Sequence, residues 1–136
     1  MGVGERAAVV ILDGDRVLLM RRRKETEDYY VLPGGGIEPG ETPDEAAVRE
    51  AREETGLYVR LDRKLGVFDD NGRRGHYFLV TKFEGTQRVG GPERERMSPE
   101  NRYDLEWAEV ERLRVLEIRP AGIAAVCEGG LHRRDA

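Results

Sequence analysis

The segment Thr42 to Leu57, TPDEAAVREAREETGL, carries both a helix start and a helix stop, and it constrains the chain more than any other stretch. Thr42 is a good N-cap, Pro43 suits the first helical position, and Glu45 three residues after Thr42 completes a capping box. Gly56 supplies the left-handed residue that commonly closes such a helix. The spacing predicts a helix from Pro43 to Thr55, and the rest of the chain has to pack around it.

With Glu50 at zero on a helical wheel, Glu54 falls near 40° and Glu53 near 300°, taking roughly 100° per residue. The three carboxylates therefore share one face. Ala47, Val48 and Ala51 fall on an adjacent flank that is expected to pack inward, so the acidic strip borders the core. Like charges one turn apart repel, more so where water is partly excluded, and something must neutralise them. Arg49, one turn before Glu53, offsets part of the charge. A cluster of carboxylate oxygens also suits a divalent cation such as Mg2+, which accepts a few carboxylates together with substrate phosphate oxygens. A solvated acidic helix face is the plain alternative.

Upstream, PGGGIEPGE sets Gly34 to Gly36 and Gly40 directly before the helix. Glycines let backbone approach a ligand or metal closely, although a lone glycine turn is more often a tight connection.

Around this unit, AAVVIL (Ala7 to Leu12) and RVLLM (Arg16 to Met20) read as a hairpin closed by the DGD turn. RRRKETED (Arg21 to Asp28) reads as a polar loop, and YYVLP (Tyr29 to Pro33) as a short strand. Leu57 to Phe68 and His76 to Glu84 form a second expected hairpin across DDNGRRG. Gly85 to Arg102 is polar, is broken by Pro92 and Pro99, and reads as a long irregular loop. YDLEWAEV is the last expected strand, followed by short helices at Glu109 to Leu116 and Pro120 to Cys127 and a frayed tail over about 129–136. Trp107, Tyr103, Tyr29 and Tyr30 read as core in preference to base-stacking platforms, and His76 as structural or solvated.

A chain of 136 residues corresponds to one domain, 1–136, large enough to bury a core without disulfides. The formal net charge of -4 argues against stable nucleic-acid binding. The single cysteine, Cys127, reads as a small buried hydrophobe and fits a reducing cytoplasm. No apolar run is long enough to span a bilayer and no signal-peptide layout is present, so a cytoplasmic location without membrane partners is expected, as monomer or homodimer.

Taken together, Gly35, Glu41, Arg49, Glu50, Ala51, Glu53, Glu54, Gly56 and Leu57 stand in the register of the Nudix box, and the chain resembles the Nudix hydrolase family from Gly35 to Leu57. Ala51 departs from the pattern, standing where a larger aliphatic residue is usual. The resemblance implies an α/β (α+β) fold, an α/β/α sandwich with a mixed, largely antiparallel sheet and a loop-helix-loop catalytic motif. It implies a Mg2+-dependent hydrolase, with Mn2+ as an alternative ion, that cleaves a pyrophosphate bond in a nucleoside diphosphate linked to another moiety. Glu50, Glu53 and Glu54, with the carbonyl of Gly34, would bind metal; Glu50 or Glu53 would double as general base; Arg49 and Glu41 would orient the carboxylates.

Outside the box, Arg21 or Arg23 is a candidate phosphate clamp, against a solvated turn as the plain reading. Glu93 or Glu95 is a candidate further ligand or base from the long loop, against a surface role. The proline found some fifteen residues past the box in many ADP-ribose hydrolases is missing. That favours a nucleoside triphosphate, including oxidised ones, or another small diphosphate compound, with ADP-ribose or another sugar nucleotide as the alternative. A domain that binds nucleotide as a sensor without cleaving it is the alternative from another class, although such domains are expected to lose box glutamates that this chain keeps.

Overall fold

The apolar run near the start of the chain becomes β1 (Arg6–Asp13), the strand around which everything else is layered. A computed structural model describes residues 4–90, 97–98 and 100–135, with side chains up to Leu131. Ala7, Val9 and Ile11 point to one side of β1 and Ala8, Val10 and Leu12 to the other, and both sets are buried. A strand apolar on both faces needs a layer on each side. One layer is α1 (Pro43–Thr55), whose Ala46, Ala47 and Ala51 pack with Ala7, Val9, Ile11, Leu18 and Phe78. The other is a 3-10 turn (Val110–Val115) with α2 (Ile123–Asp135), which bring Leu113, Ile123 and Cys127 against Ala8, Val10, Leu79 and Tyr77. Each fully buried Val, Ile or Leu stabilises the sandwich by about 1.5–3 kcal/mol.

The sheet between the layers is mixed and largely antiparallel. β1 turns into β2 (Arg16–Lys24), pairs antiparallel with β4 (Gly34–Gly36), and lies parallel to β6 (Arg73–Glu84). β6 pairs antiparallel with β5 (Tyr58–Asp70), and β2 lies between β3 (Asp28–Val31) and β7 (Asn101–Glu109). The parallel pairing is reached through a crossover that contains α1, so the end of β1 beside β4 and the last turn of α1 come together. The expected α/β/α sandwich is the observed one.

The bounds of α1 are those its caps predict: both halves of the capping box are present, and Gly56 adopts φ 79° and donates its N–H to the Arg52 carbonyl. Three expectations change. First, Arg21 to Asp28 is not a polar loop up to Lys24, because β2 continues through Arg21, Arg22 and Arg23, each paired with β3 and β7. Carboxylates at Asp28, Asp104 and Glu106 on those neighbours meet Arg21 and Arg23, and tyrosine hydroxyls meet Arg22, which makes a charged strand tolerable. Second, Val48 does not pack inward: it is 39% exposed, and Ala46 takes the buried position. Third, the last helix does not run from Pro120 to Cys127 but from Ile123 to Asp135. Gly130 lets it lie close on the sheet, a Cβ there standing 3.3 Å from Leu79 Cδ1, and Arg114 holds Glu128 with bonds of 2.9 and 2.6 Å.

Candidate functional site

Glu50, Glu53 and Glu54 emerge where the C-terminal half of α1 meets β4. Burial distinguishes them: Glu54 is 7% exposed, the Glu50 side chain 13%, and the Glu53 side chain 48%. Glu54 is oriented by the chain itself, since the Gly34 N–H donates to its Oε1 at 2.9 Å. Gly35 is a glycine for a steric reason. A Cβ there would stand 2.4 Å from Glu50 Oε2, so any larger residue would push that carboxylate out of place.

Arg49 is the hub of the cluster. Its Nε donates to Glu41 Oε2 at 2.7 Å and its Nη2 to Glu41 Oε1 at 2.9 Å, a two-point clamp. The same Nη2 reaches the Gly36 carbonyl at 3.0 Å, while Nη1 donates to Glu50 Oε2 at 2.9 Å and Glu53 Oε1 at 3.0 Å. One guanidinium thus fixes the glycine strand, the loop glutamate and two helix carboxylates at once, a task its planar fork performs and an ammonium does not. Hydrogen bonds from Arg49, then the Glu38 N–H, hold the Glu41 carboxyl down at about 2, well below the ordinary carboxylate value. The hydrogen bond to Glu41 foremost, and then that to Glu50, push the Arg49 pKa upward against the opposing effect of burial.

The donor set is carboxylate oxygen, the chemistry that suits a hard divalent cation. Among the described residues, however, no group of three or more His, Cys, Asp or Glu side chains is arranged to hold one. Arg49 stands between Glu50 and Glu53, and Glu54 is turned to the Gly34 amide. The ligand chemistry is present; Glu50 and Glu53 are gathered on a protein cation instead, and Glu54 on a backbone amide.

Beside Glu54 and Gly34 opens a cleft of about 300 Å³, lined also by Arg6, Arg22, Arg73 and Arg119. Strand alternation decides which arginine of β2 reaches it. Arg22 faces the cleft with Met20. Arg21 and Arg23, the phosphate-clamp candidates, do not line it. Arg21 makes two bonds to Asp28 of 2.8 and 2.6 Å and one to Glu106 of 3.4 Å, and Arg23 is hydrogen-bonded to Asp104. Reading the segment as a loop concealed this alternation; the neighbouring carboxylates at Asp28, Asp104 and Glu106 were the available signal. Tyr103 is buried as expected, and its hydroxyl accepts from Arg22 Nη2 at 2.5 Å. Glu93 and Glu95 lie outside the described residues. The start of their loop does dock on the acidic helix: Arg88 N donates to the Thr55 carbonyl at 2.7 Å and Gly90 N to the Glu54 carbonyl at 3.3 Å. His76 is structural, set between Lys64 Nζ, 2.6 Å from its Nδ1, and Glu5 at Nε2.

Comparison with known proteins places these features. The chain is 43% identical over 81 residues to a diphosphoinositol polyphosphate phosphohydrolase (3-alpha) of Mus musculus, covering 58% of this chain and 49% of that protein. It is 37% identical over 93 residues to an ADP-ribose pyrophosphatase of Methanocaldococcus jannaschii, covering 62% of this chain and 55% of that one. The chain spans about half the length of the curated relatives it matches. The solution structure of the E. coli ORF135 protein is similar with a TM-score of 0.74 at 25% identity, covering 96% of this chain and 90% of that chain. The model of the NUDIX domain matches residues 3–126, nearly the whole sequence. The box glutamates, the arginine hub and the sandwich that carries them are thus parts of one pattern, and the chain belongs to the NUDIX domain family.

Proposed function

We propose that the chain is a divalent-cation-dependent hydrolase of a diphosphate linkage, with Mg2+ the natural ion and Mn2+ a substitute. The observation that carries this reading is the Arg49 hub, which gathers Glu41, Glu50 and Glu53 on one side of α1 while the Gly34 amide orients Glu54. A purely structural acidic helix needs neither the glycine strand pressed against Glu50 nor a five-bonded arginine.

Glu50, Glu53 and Glu54 would hold the cation, with the Gly34 carbonyl as a further oxygen. When bound, a divalent cation supplies charge neutralisation on the phosphate oxygens and a more acidic water. The protein's own part is orientation. Glu41 keeps Arg49 in place, Arg49 fixes the resting positions of Glu50 and Glu53, and one of those two takes the proton of the attacking water. Half-exposed Glu53 turns outward with little burial to undo, whereas Glu50 is walled in by Gly35 and Arg49. Arg22 is better placed than Arg21 or Arg23 to meet the substrate, since it alone of the three lines the cleft beside Glu54.

The two relatives differ in substrate, one named for a diphosphoinositol polyphosphate and one for ADP-ribose, so family membership leaves the leaving group open. The test is phosphate and pyrophosphate release, with Mg2+ and with Mn2+, from a panel of ATP, dGTP, 8-oxo-dGTP, ADP-ribose and a diphosphoinositol polyphosphate. Release from at least one member that stops on chelation supports the reading. Binding of panel members with no release from any would replace it with a nucleotide-binding sensor.

A further inference from the structure

Two of the arginines that line the cleft, Arg22 and Arg73, have no carboxylate within ion-pair distance among the described residues. Arg22 spends its terminal nitrogens on neutral partners, the hydroxyls of Tyr29 at 3.0 Å and Tyr103 at 2.5 Å. Its Nε is buried and has no hydrogen-bond partner among the described residues. A partly buried cation with only neutral partners and an idle donor is costly to hold empty and gains strongly from an incoming anion. Among the described lining residues, four arginines (Arg6, Arg22, Arg73, Arg119) stand with two carboxylates (Glu54, Asp70).

The aromatic side chains of the same cleft are already covered. The Arg119 guanidinium lies 3.9 Å from the centre of the Tyr29 ring, and that of Arg22 lies 4.6 Å from the Tyr103 ring and 5.7 Å from Tyr29. A platform for a nucleobase needs an exposed ring face, and both rings are buried, Tyr29 at 6% and Tyr103 at 2% exposure, each with a guanidinium over it. The tyrosines position arginines; they do not offer themselves to a base.

We infer that the cleft beside Glu54 binds a substrate whose non-reacting moiety carries several anionic groups, such as phosphomonoesters spread over a compact ring, and that it does not recognise a nucleobase by stacking. This rests on the diphosphate-hydrolase reading and names the substrate class for it. Arg22 and Arg73 are then specificity-determining residues: they meet charge on the part of the substrate that is retained or released and take no part in the bond cleavage.

The experiment is calorimetric binding of three probes without divalent metal at physiological salt: inorganic tripolyphosphate, ATP and inositol hexakisphosphate. ATP and tripolyphosphate differ by the nucleoside, so affinities within threefold of each other are expected, and inositol hexakisphosphate should bind at least tenfold tighter than either. Arg73→Gln, which breaks no ion pair with a described residue, should weaken inositol hexakisphosphate binding at least threefold. Arg22→Gln should weaken it at least tenfold, with melting temperature checked because the change also frees Tyr29 and Tyr103. ATP binding tenfold or more above tripolyphosphate, or unchanged inositol hexakisphosphate affinity in Arg73→Gln, would overturn the inference. Because no turnover is read, these outcomes are independent of the panel assay: nucleotide hydrolysis without polyanion binding sinks only this inference, and polyanion binding without any hydrolysis sinks only the enzyme reading.

Discussion

The N–H of Gly34 donates to Glu54 Oε1 across 2.9 Å, which ties the glycine strand to the last turn of the acidic helix. Glu54→Gln keeps an acceptor oxygen at that point, whereas Glu54→Ala leaves a buried donor unpaired. An unpaired buried amide costs about 1–3 kcal/mol. In urea unfolding without metal, Glu54→Ala should lose stability in that range and Glu54→Gln distinctly less. Equal losses would mean that the bond is incidental.

Arg49 makes its bonds with a planar fork that lysine cannot reproduce. Arg49→Lys keeps the charge but gives up the clamp on Glu41 and the simultaneous hold on Glu50 and Glu53. Groups that orient metal-site carboxylates typically cost 10–100-fold in affinity or activity when lost. The expected result is a fall of that order in kcat, read on whichever panel substrate turns over, and a wild-type kcat would remove Arg49 from the orienting role.

Glu41 titrates at about 2 in the folded chain, against an ordinary 4.5, because Arg49 and the Glu38 amide bond its charged form. The unfolded chain therefore takes up a proton at Glu41 before the folded one does. The stabilisation is fully present above about 4.5 and is lost as pH falls towards about 2. In metal-free thermal unfolding, Glu41→Gln should melt below the wild type near neutrality, and the gap should narrow as pH falls through that window. A gap that stays constant across it contradicts the clamp.

How much of this could be read in advance follows from where each determinant lies along the chain. The bounds of α1 were legible because Thr42, Pro43, Glu45 and Gly56 act on their own helix, within a few residues of themselves. The common face of Glu50, Glu53 and Glu54 followed from the helix period alone. Arg22 was missed because its orientation depends on β2 running on to Lys24, and that depends on pairing with Asn101–Glu109, a segment distant in sequence. The end of α2 was missed for the same reason: Gly130 reads as a breaker locally, but it fits against Leu79 and Leu65. Val48 was placed inward by a wheel that could not know which flank β1 would occupy; Ala46 and Ala47 took it.

Gly90 lies against the C-terminal end of the acidic helix, where a Cβ would stand 2.3 Å from the Glu53 carbonyl oxygen. Gly90→Ala cannot be accommodated without moving the loop off α1, which also gives up the Gly90 N–H bond to the Glu54 carbonyl. Because α1 keeps its own caps and its packing on β1, the loss should appear mainly in function. Faster amide exchange at Gly90 and Arg88 and a lowered kcat/KM are expected, with melting temperature changed by only a few degrees. Unaltered exchange in the variant would show that the loop does not need the helix.

The most direct test of the central claim, that the acidic face of α1 performs metal-dependent diphosphate hydrolysis, is turnover of the best panel substrate by wild type, Glu53→Gln and Glu54→Gln. It is paired with the rise in melting temperature on adding Mg2+, since an ion bound only by the folded state stabilises it. The account predicts that wild type turns over and is stabilised by Mg2+, that both variants fold but lose at least about a hundredfold in rate, in line with loss of a group essential to the step, and that the Mg2+ stabilisation shrinks in Glu54→Gln. Undiminished turnover and an undiminished Mg2+ shift in Glu54→Gln would place the chemistry elsewhere in the molecule.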